Sequence, residues 1–486
     1  MLYYSKAFSQ IPGIHKTMKI VMCSINPLFV DKVIGGSTKH LRRVAEHLAG
    51  LGHQVVILCT RRDASQDDIR WHSNIKVRAV FKFKQPFPLP YDIPAYEMTH
   101  IIQQILDECA DADRLYLHDG EILFPPISHR LPTVVSLRDC VYPETMLGSF
   151  LFQGDAIITL NEYCKKSLMA TAGTFLQDLP ERVRVIPNGF DWDFFKPTPP
   201  SHELLEILQI DPSQHTIVLH PHRPELSKGL MQTINTVDQL VHQYHFQNLK
   251  VLIPKWFDAN QSPDLLKFLH NMQSDISQRG LSDIFIFHDW LPQRLMPEYF
   301  SLGHVTLVLG HFVEAFGNAT YESLACGTPA VVSRVSSNRD LVPDALLAKV
   351  HFDDIDAAAR LAADILNSSQ RTSQATLEFL KEHYGVQEQC QAYAETIVNA
   401  KKLSPMQYRL DATSADLRYV LAPWCYTWDD SVYHDHLAKH VQNAMLVKIS
   451  QAFPAGATRY EMLMLGADEA AVQSWMDDGY LVRAYP

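Results

Sequence analysis

Twice along this chain, short runs of β-forming residues alternate with amphipathic helical stretches, and that rhythm restricts the fold more than any other feature. Residues 19–24 (KIVMCS) read as a buried strand. Leu41, Val44, Ala45, Leu48 and Leu51 then recur at helical spacing, Gly52 stops the helix, and 54–59 is a second β-rich run. A helix is predicted around 99–109 and another from Glu162, with strands at 115–117, 133–136, 156–160 and 184–186. The segment NGFDWDFFKPTPP, ending at Pro200, is rich in turn formers and proline and marks an exit from one domain. A second series follows, with strands at 216–219, 250–253, 284–287, 305–309 and 330–333 and a late helix over 355–366. Strands alternating with helices imply parallel sheets covered on both faces.

The expected fold class is therefore α/β: two tandem Rossmann-like, doubly wound domains with a deep cleft between them, plus a C-terminal accessory module. The predicted divisions are an extension over 1–17, a first domain over 18–197, a second over 198–400 whose final helix crosses back, and the module over 401–486. A length of 486 residues exceeds what one core organises, and 47% hydrophobic residues exclude disorder. No apolar run approaches membrane-spanning length and the opening residues lack a signal-type apolar stretch, so a cytoplasmic protein is expected. The eight cysteines form no C-x-x-C pair, which argues for a reducing compartment over a disulfide scaffold or structural zinc.

Formal charge is −11, and it is uneven: residues 1–200 carry 22 Lys/Arg against 21 Asp/Glu, and the remainder 21 against 33. An acidic chain without a basic block is not expected to bind nucleic acid. The C-terminal stretch from Thr458 reads as helix, turn at Gly466, helix, then a strand after Gly479, as in a winged-helix module. Its acidity after residue 400, eight Lys/Arg against ten Asp/Glu, favours protein contact or oligomerisation over DNA. His434, His436 and His440 in YHDHLAKH lack the glutamate of a metal-binding helix and are read as a polar helix face.

The chemistry concentrates in residues 305–333, VTLVLGHFVEAFGNATYESLACGTPAVVS. A strand runs into a loop with Glu314, Phe316 and Gly317. A short helix then starts near Asn318, its expected N-cap, and ends before Gly327 in the C′ position. The free N–H groups of that helix start suit a phosphate or sugar oxygens, and Glu314 and Glu322 can address two parts of one ligand.

This stretch resembles the sugar-donor signature of retaining glycosyltransferases of the GT-B fold, closest to glycosyltransferase family 4. Other landmarks fall in the family's order over about residues 18 to 400: the Gly35-Gly36 loop, LHDG at 117–120, VIPNGFDWDFF at 185–195 and HRPELSKG at 222–229. The resemblance implies transfer of a sugar from a nucleoside-diphosphate sugar to an acceptor with retention, through same-face attack and without an obligatory metal or other cofactor. It places Glu314 and His118 at the transferred sugar as catalytic groups and Glu322 on the ribose. Arg223 and Lys228 would sit on the diphosphate, with backbone contacts from Gly35, Gly36, Phe316, Gly317 and Asn318. His222 and Ala315 depart from the family's usual residues and bear on sugar identity. Rival readings are a nucleotide-sugar epimerase on the same scaffold and a non-catalytic nucleotide-sugar-binding protein that recruits a partner through its C-terminal module.

Asp191-Trp192-Asp193 mimics a metal-binding Asp-x-Asp, but its place in the proline-rich exit argues for a turn. The segment 81–96, with Lys82, Lys84, aromatics and prolines, is expected to be an irregular loop, and a peripheral membrane or acceptor contact is the functional reading offered for it.

Overall fold

Strands buried on both faces do not alternate apolar with polar residues, and the central strands of this protein are accordingly buried over most of their length. The computed structural model describes residues 17–30, 35–61, 68–84, 92–140, 142–255, 263–409 and 417–484. Residues 1–16 of the expected N-terminal extension and 85–91 of the 81–96 loop lie outside them; Lys82 and Lys84 themselves are exposed.

The chain divides into two compact units, Met1–Ile186 with Gln387–Ala412, and Pro187–Val386 with Thr413–Pro486. The first is built on β1 (Lys19–Pro27), β2 (Gln54–Thr60), β3 (Ile69–His72), β4 (Ile75–Phe81), β5 (Arg114–His118), β6 (Thr133–Ser136), β7 (Ala156–Thr159) and β8 (Val183–Val185). They form one sheet in the order β3-β4-β2-β1-β5-β6-β7-β8, parallel except for β3 against β4. Alternate residues of β1 serve opposite faces: Ile20 and Met22 join one core cluster, Val21 and Cys23 the other. The helix Val386–Asn399 closes the first cluster with Tyr393, Ala394, Ile397 and Val398.

The second unit carries β9 (Thr216–Leu219), β10 (Leu249–Pro254), β11 (Phe285–His288), β12 (Val305–Val308), β13 (Ala330–Ser333) and β14 (Ala348–Val350), all parallel, in the order β11-β10-β9-β12-β13-β14. In each sheet the strand order reverses beside the first strand, at β1/β5 and at β9/β12. Crevices beyond the carboxyl ends of strands at such reversals are where doubly wound sheets take ligands. These two reversals place every candidate residue discussed below.

Three local expectations are corrected. The sequence puts the domain exit at 197, whereas the contacts divide the chain after Ile186: the Phe190 ring already packs, tilted, against Phe316 and Tyr321 at 5.7 Å, and Phe195 lies in the second unit's core. Gly35 and Gly36 are not a loop but the first residues of a helix, Gly35–Gly50. The YHDHLAKH segment is not helical. It spans a hairpin of β17 (Ser431–His434) and β18 (Lys439–Gln442), which follows β15 (Arg418–Leu421) and β16 (Cys425–Trp428). His434 is buried and His440 packs on Trp428 and Tyr433, so burial of aromatic faces overrides the helical spacing.

The module is completed by β19 (Ala457–Thr458), the helices Arg459–Met464 and Glu469–Asp477, and β20 (Leu481–Arg483), with β15 in the middle of an antiparallel β19-β15-β20 sheet. The helix–turn–helix–strand order read from sequence is present, its first helix opened by a capping box between Thr458 and Glu461. Residues 401–412 group with the first unit and the module from 417 with the second. No helix among the described residues is long and apolar enough to cross a membrane.

Candidate active site

In the first unit, β5 ends at His118, which is 3% exposed. Its Nε2 lies 3.0 Å from the carbonyl oxygen and 2.8 Å from the hydroxyl of Ser37, in the first turn of the Gly35–Gly50 helix. Its Nδ1 lies 2.9 Å from the Tyr116 hydroxyl. A carbonyl can only accept, so Nε2 carries the proton and Nδ1 accepts from Tyr116. Burial, then the Arg138 charge, pushes the imidazole down to about 3, so it is neutral at neutral pH. The structure thus brings His118 to the start of the glycine-led helix, with both ring nitrogens engaged. The early N–H groups of that helix lack intrahelical acceptors.

Two neighbours were given no role by the motifs, although Asp119 lies within LHDG. His40 stacks on His118 at 5.7 Å with neither ring nitrogen partnered. Asp119 has φ +87°, and burial followed by the Asp139 charge pushes its carboxyl up to about 7. Neither carries a spacing signal; only burial reveals them.

In the second unit the site grows from two loops pressed backbone to backbone. Gly310, just beyond β12, has no room for a side chain: a Cβ there would lie 2.4 Å from the Ser227 carbonyl oxygen. A Cβ on Gly229, whose φ is +80°, would lie 2.4 Å from the Gly310 nitrogen. His311 and Phe312 both donate backbone N–H bonds to that Ser227 oxygen, at 2.9 and 3.0 Å. This close approach delivers Lys228 to Glu314: Nζ sits 2.6 Å from Oε1 and 3.6 Å from the centre of the Phe312 ring. The lysine side chain is 14% exposed and the glutamate 24%, so the pair is largely withdrawn from water. We expect Gly229→Val to cost about 2–4 kcal/mol through overpacking and left-handed strain, read as a lower urea midpoint with unchanged slope; an unchanged midpoint would refute the required close approach.

Arg223 pairs with Glu225 at 2.9 Å, a neighbour the motif reading passed over. Beside them His222 is half-buried, with Nε2 withdrawn from water and unpartnered, and is held well below its usual range by burial, then by His220, Lys228 and Arg223. Both positive charges therefore act on one locality.

The Asn318–Ala325 helix starts differently from expectation. Gly317, left-handed at φ 75°, ψ 57°, is the N-cap, and Asn318 is the first helical residue, accepting at 3.3 Å from the Asn188 amide. A glycine cap offers no side-chain oxygen, so the helix start retains N–H groups for another acceptor. The other end follows expectation, with Gly327 at φ +89°. Glu322 is half-buried on this helix. Phe316 is a packing residue: its ring is buried against Tyr321 at 4.8 Å and Tyr384 at 5.3 Å.

Behind the Glu314 loop lies the 3₁₀ turn Ser336–Arg339, which sequence reasoning missed altogether. The Ser336 hydroxyl donates to the Glu314 carbonyl oxygen at 2.9 Å. Asn338 Oδ1 would lie 3.6 Å from a Cβ on Gly317 and has no partner, nor has the buried Ser337 hydroxyl. Such orphaned polar atoms suit a polyhydroxylated ligand. Asp191 accepts from the Asp193 and Phe194 N–H groups at 3.2 Å, which makes the Asp-x-Asp a turn. Among the described residues no three His, Cys, Asp or Glu side chains gather as metal ligands.

Known protein families match both parts of the chain. The family model for Glycosyltransferase Family 4 matches residues 34–194, and that for Glycosyl transferases group 1 matches 209–382. The D-inositol 3-phosphate glycosyltransferase of Acidothermus cellulolyticus is 24% identical over 338 residues, 64% of this chain and 73% of that protein. The 2-deoxystreptamine N-acetyl-D-glucosaminyltransferase of Streptomyces fradiae is 23% identical over 220 residues, 42% of this chain and 51% of the relative. Sucrose-phosphate synthase of Thermosynechococcus elongatus shares the fold with a TM-score of 0.62 at 16% identity, covering 78% of this chain and 98% of that one. Anabaena Alr3699/HepE does so with a TM-score of 0.59 at 18% identity, over 78% and 99%. Matched in chain order by both models across its two parallel-sheet units, this chain is a GT-B glycosyltransferase that resembles family 4.

Proposed function

We propose that the protein transfers a sugar from a nucleoside diphosphate to an acceptor hydroxyl with retention of anomeric configuration and without a divalent metal. The observation that carries this reading is the Lys228–Glu314 pair, 2.6 Å apart just before the glycine-capped start of the Asn318–Ala325 helix. One cation, one carboxylate and a set of free N–H groups match a diphosphate joined to a polyhydroxylated ring. In the reaction the bond from C1 to the diphosphate oxygen breaks and a bond from C1 to the acceptor oxygen forms on the same face. The acceptor proton passes to the departing diphosphate. Negative charge grows on that diphosphate as the bond breaks, so fixed Lys228 and Arg223 stabilise the transition state more than the ground state. Glu314 accepts from sugar hydroxyls and Glu322 from the ribose. In the first unit, neutral His118 holds Ser37 at the start of the Gly35–Gly50 helix.

Related structures support a nucleotide-sugar donor: HepE is described in complex with UDP-glucose, and an Escherichia coli trehalose-6-phosphate enzyme with UDP-2-fluoro glucose. The test is a thermal-shift panel of nucleotide sugars, followed by product analysis. The true donor at a hundred times its Kd adds about 2.7 kcal/mol to stability. Glu322→Ala should lose most of that gain while keeping the unliganded melting temperature. Stabilisation by none of the panel sinks the reading. Isomerised donor without acceptor would make the protein an epimerase, an inverted product would remove retention, and activity lost to EDTA and restored by a metal would remove metal independence.

A further inference from the structure

The C-terminal module lies beyond both matched family models, which end at residue 382, yet it reaches into the turn behind Glu314. Asp435, at the end of the β17 hairpin arm, has a side chain with no exposure. It forms a two-pronged pair with Arg339, both N–O distances being 2.8 Å, and its Oδ1 also accepts the Ser336 N–H at 3.1 Å. Arg339 is further fixed by the Pro423 carbonyl oxygen at 3.1 Å. Ser336 in turn donates its hydroxyl to the Glu314 carbonyl oxygen at 2.9 Å.

This relay passes through a strained residue. Ser336 has φ +46°, a left-handed conformation that a non-glycine residue keeps only when its surroundings hold it. Among the contacts that hold it, one comes from the module and one leads to the donor-site loop. The same turn carries Asn338, whose Oδ1 faces Gly317, the cap of the Asn318–Ala325 helix. Asp435 is also not what fastens the module to the second unit by itself. His351 stacks on Trp428 at 3.9 Å and 10°, and its Nδ1 lies 3.1 Å from the Tyr426 hydroxyl. The module has its own core of Leu446, Ile449, Met462, Val472 and Trp475.

We infer that Asp435 is a positioning residue for sugar transfer: the module supplies a buried carboxylate that fixes the Ser336 turn and, through it, the Glu314 loop. This rests on the glycosyl-transfer reading above and extends it to a part of the chain outside the matched family models. The module then acts on turnover rather than on ground-state affinity, since a loop displaced by a fraction of an ångström still binds donor but misplaces Glu314.

Two variants test it. Asp435→Ala alone would strand the buried Arg339 charge and lower stability, so the informative variant is Asp435→Leu/Arg339→Met, which removes both charges at similar volume and restores melting temperature. It should still turn over about 30- to 100-fold more slowly, with donor KM within about threefold of wild type. Ser336→Ala removes only the hydroxyl link and should lower kcat about 10-fold with the melting temperature little changed. Wild-type kcat in either stably folded variant overturns the inference, as does a loss confined to KM. A wild-type protein that transfers no sugar removes this inference and the functional reading together; an active wild type with a fully active double variant removes this inference alone.

Discussion

Lys228→Met should lower kcat/KM for sugar transfer by about 10²–10³, the loss seen when one preorganised charge is withdrawn from a site where charge develops. Methionine keeps a stem of similar length over the Phe312 ring, so the variant isolates the ammonium from its packing. The effect should be large because the lysine is only 14% exposed and is held by a neighbouring carboxylate rather than by mobile water. Its position also depends on backbone contact between Ser227 and the 311–312 segment, which fixes where that charge stands. Glu314→Gln should cost a comparable factor, and the double variant should fall by less than the product of the two losses, because each side chain orients the other. Initial rates of nucleotide release at saturating acceptor measure all three. A Lys228→Met enzyme within threefold of wild type would mean that this charge meets no developing negative charge.

Acidification should unfold the second unit before the first. His220 is pushed down to about 3 and His288 to about 4, both chiefly by burial, and His222 lies well below its usual range. For a histidine with a lowered folded value, the unfolded chain takes up a proton below about 6.5 that the folded chain refuses. Stability is therefore fully present above that pH and is lost as pH falls toward the folded value. Each such group removes about 1–2 kcal/mol per pH unit in that window. In the first unit His40 and His118 act the same way. Asp119, raised to about 7, acts in the opposite sense there, because its folded carboxyl holds a proton that the unfolded one releases. In the second unit these three histidines act without such an offset, a burden of several kcal/mol per pH unit against a total of roughly 5–15 kcal/mol. Urea melts at pH 7.5 and 5, read by hydrogen exchange on segments of β9 and β12 against β1 and β5, distinguish the units. Equal pH dependence in both would contradict the burial of these imidazoles.

The element order was legible along the chain because each strand and helix declares which of its faces is buried through its own spacing. β6, β9 and β13 occur with the bounds their apolar runs suggest, and Gly327 ends its helix as a left-handed C′ residue. The edge strands β3 (IRWH) and β14 (AKV) lack the continuous apolar run that marks a buried strand, so they did not stand out. Misreadings occurred where a local pattern was satisfied by a distant partner. YHDHLAKH has helical spacing, yet its histidines are placed by Trp428, Tyr433 and Tyr480 around a hairpin. Asn318 is a good N-cap type, yet Gly317 takes that position because the chain must turn left-handed before the helix.

At the candidate site the residues were nameable from motif order, while their partnerships were not. Lys228 meets Glu314 across 86 residues of sequence, and Asp435 meets Ser336 across 99. The chain's own sequence determined most of the strands and helices of the two large sheets, that those sheets are built on parallel strands, and which glycines and charges stand at strand ends. Only the tertiary structure decided that His118 is neutral and spoken for, that Phe316 is core, and that a carboxylate from the last module braces the Glu314 loop. Periodicity reports the burial of one element's face, whereas a charge pair between remote segments depends on where strand order brings their ends, and that leaves no trace in local spacing.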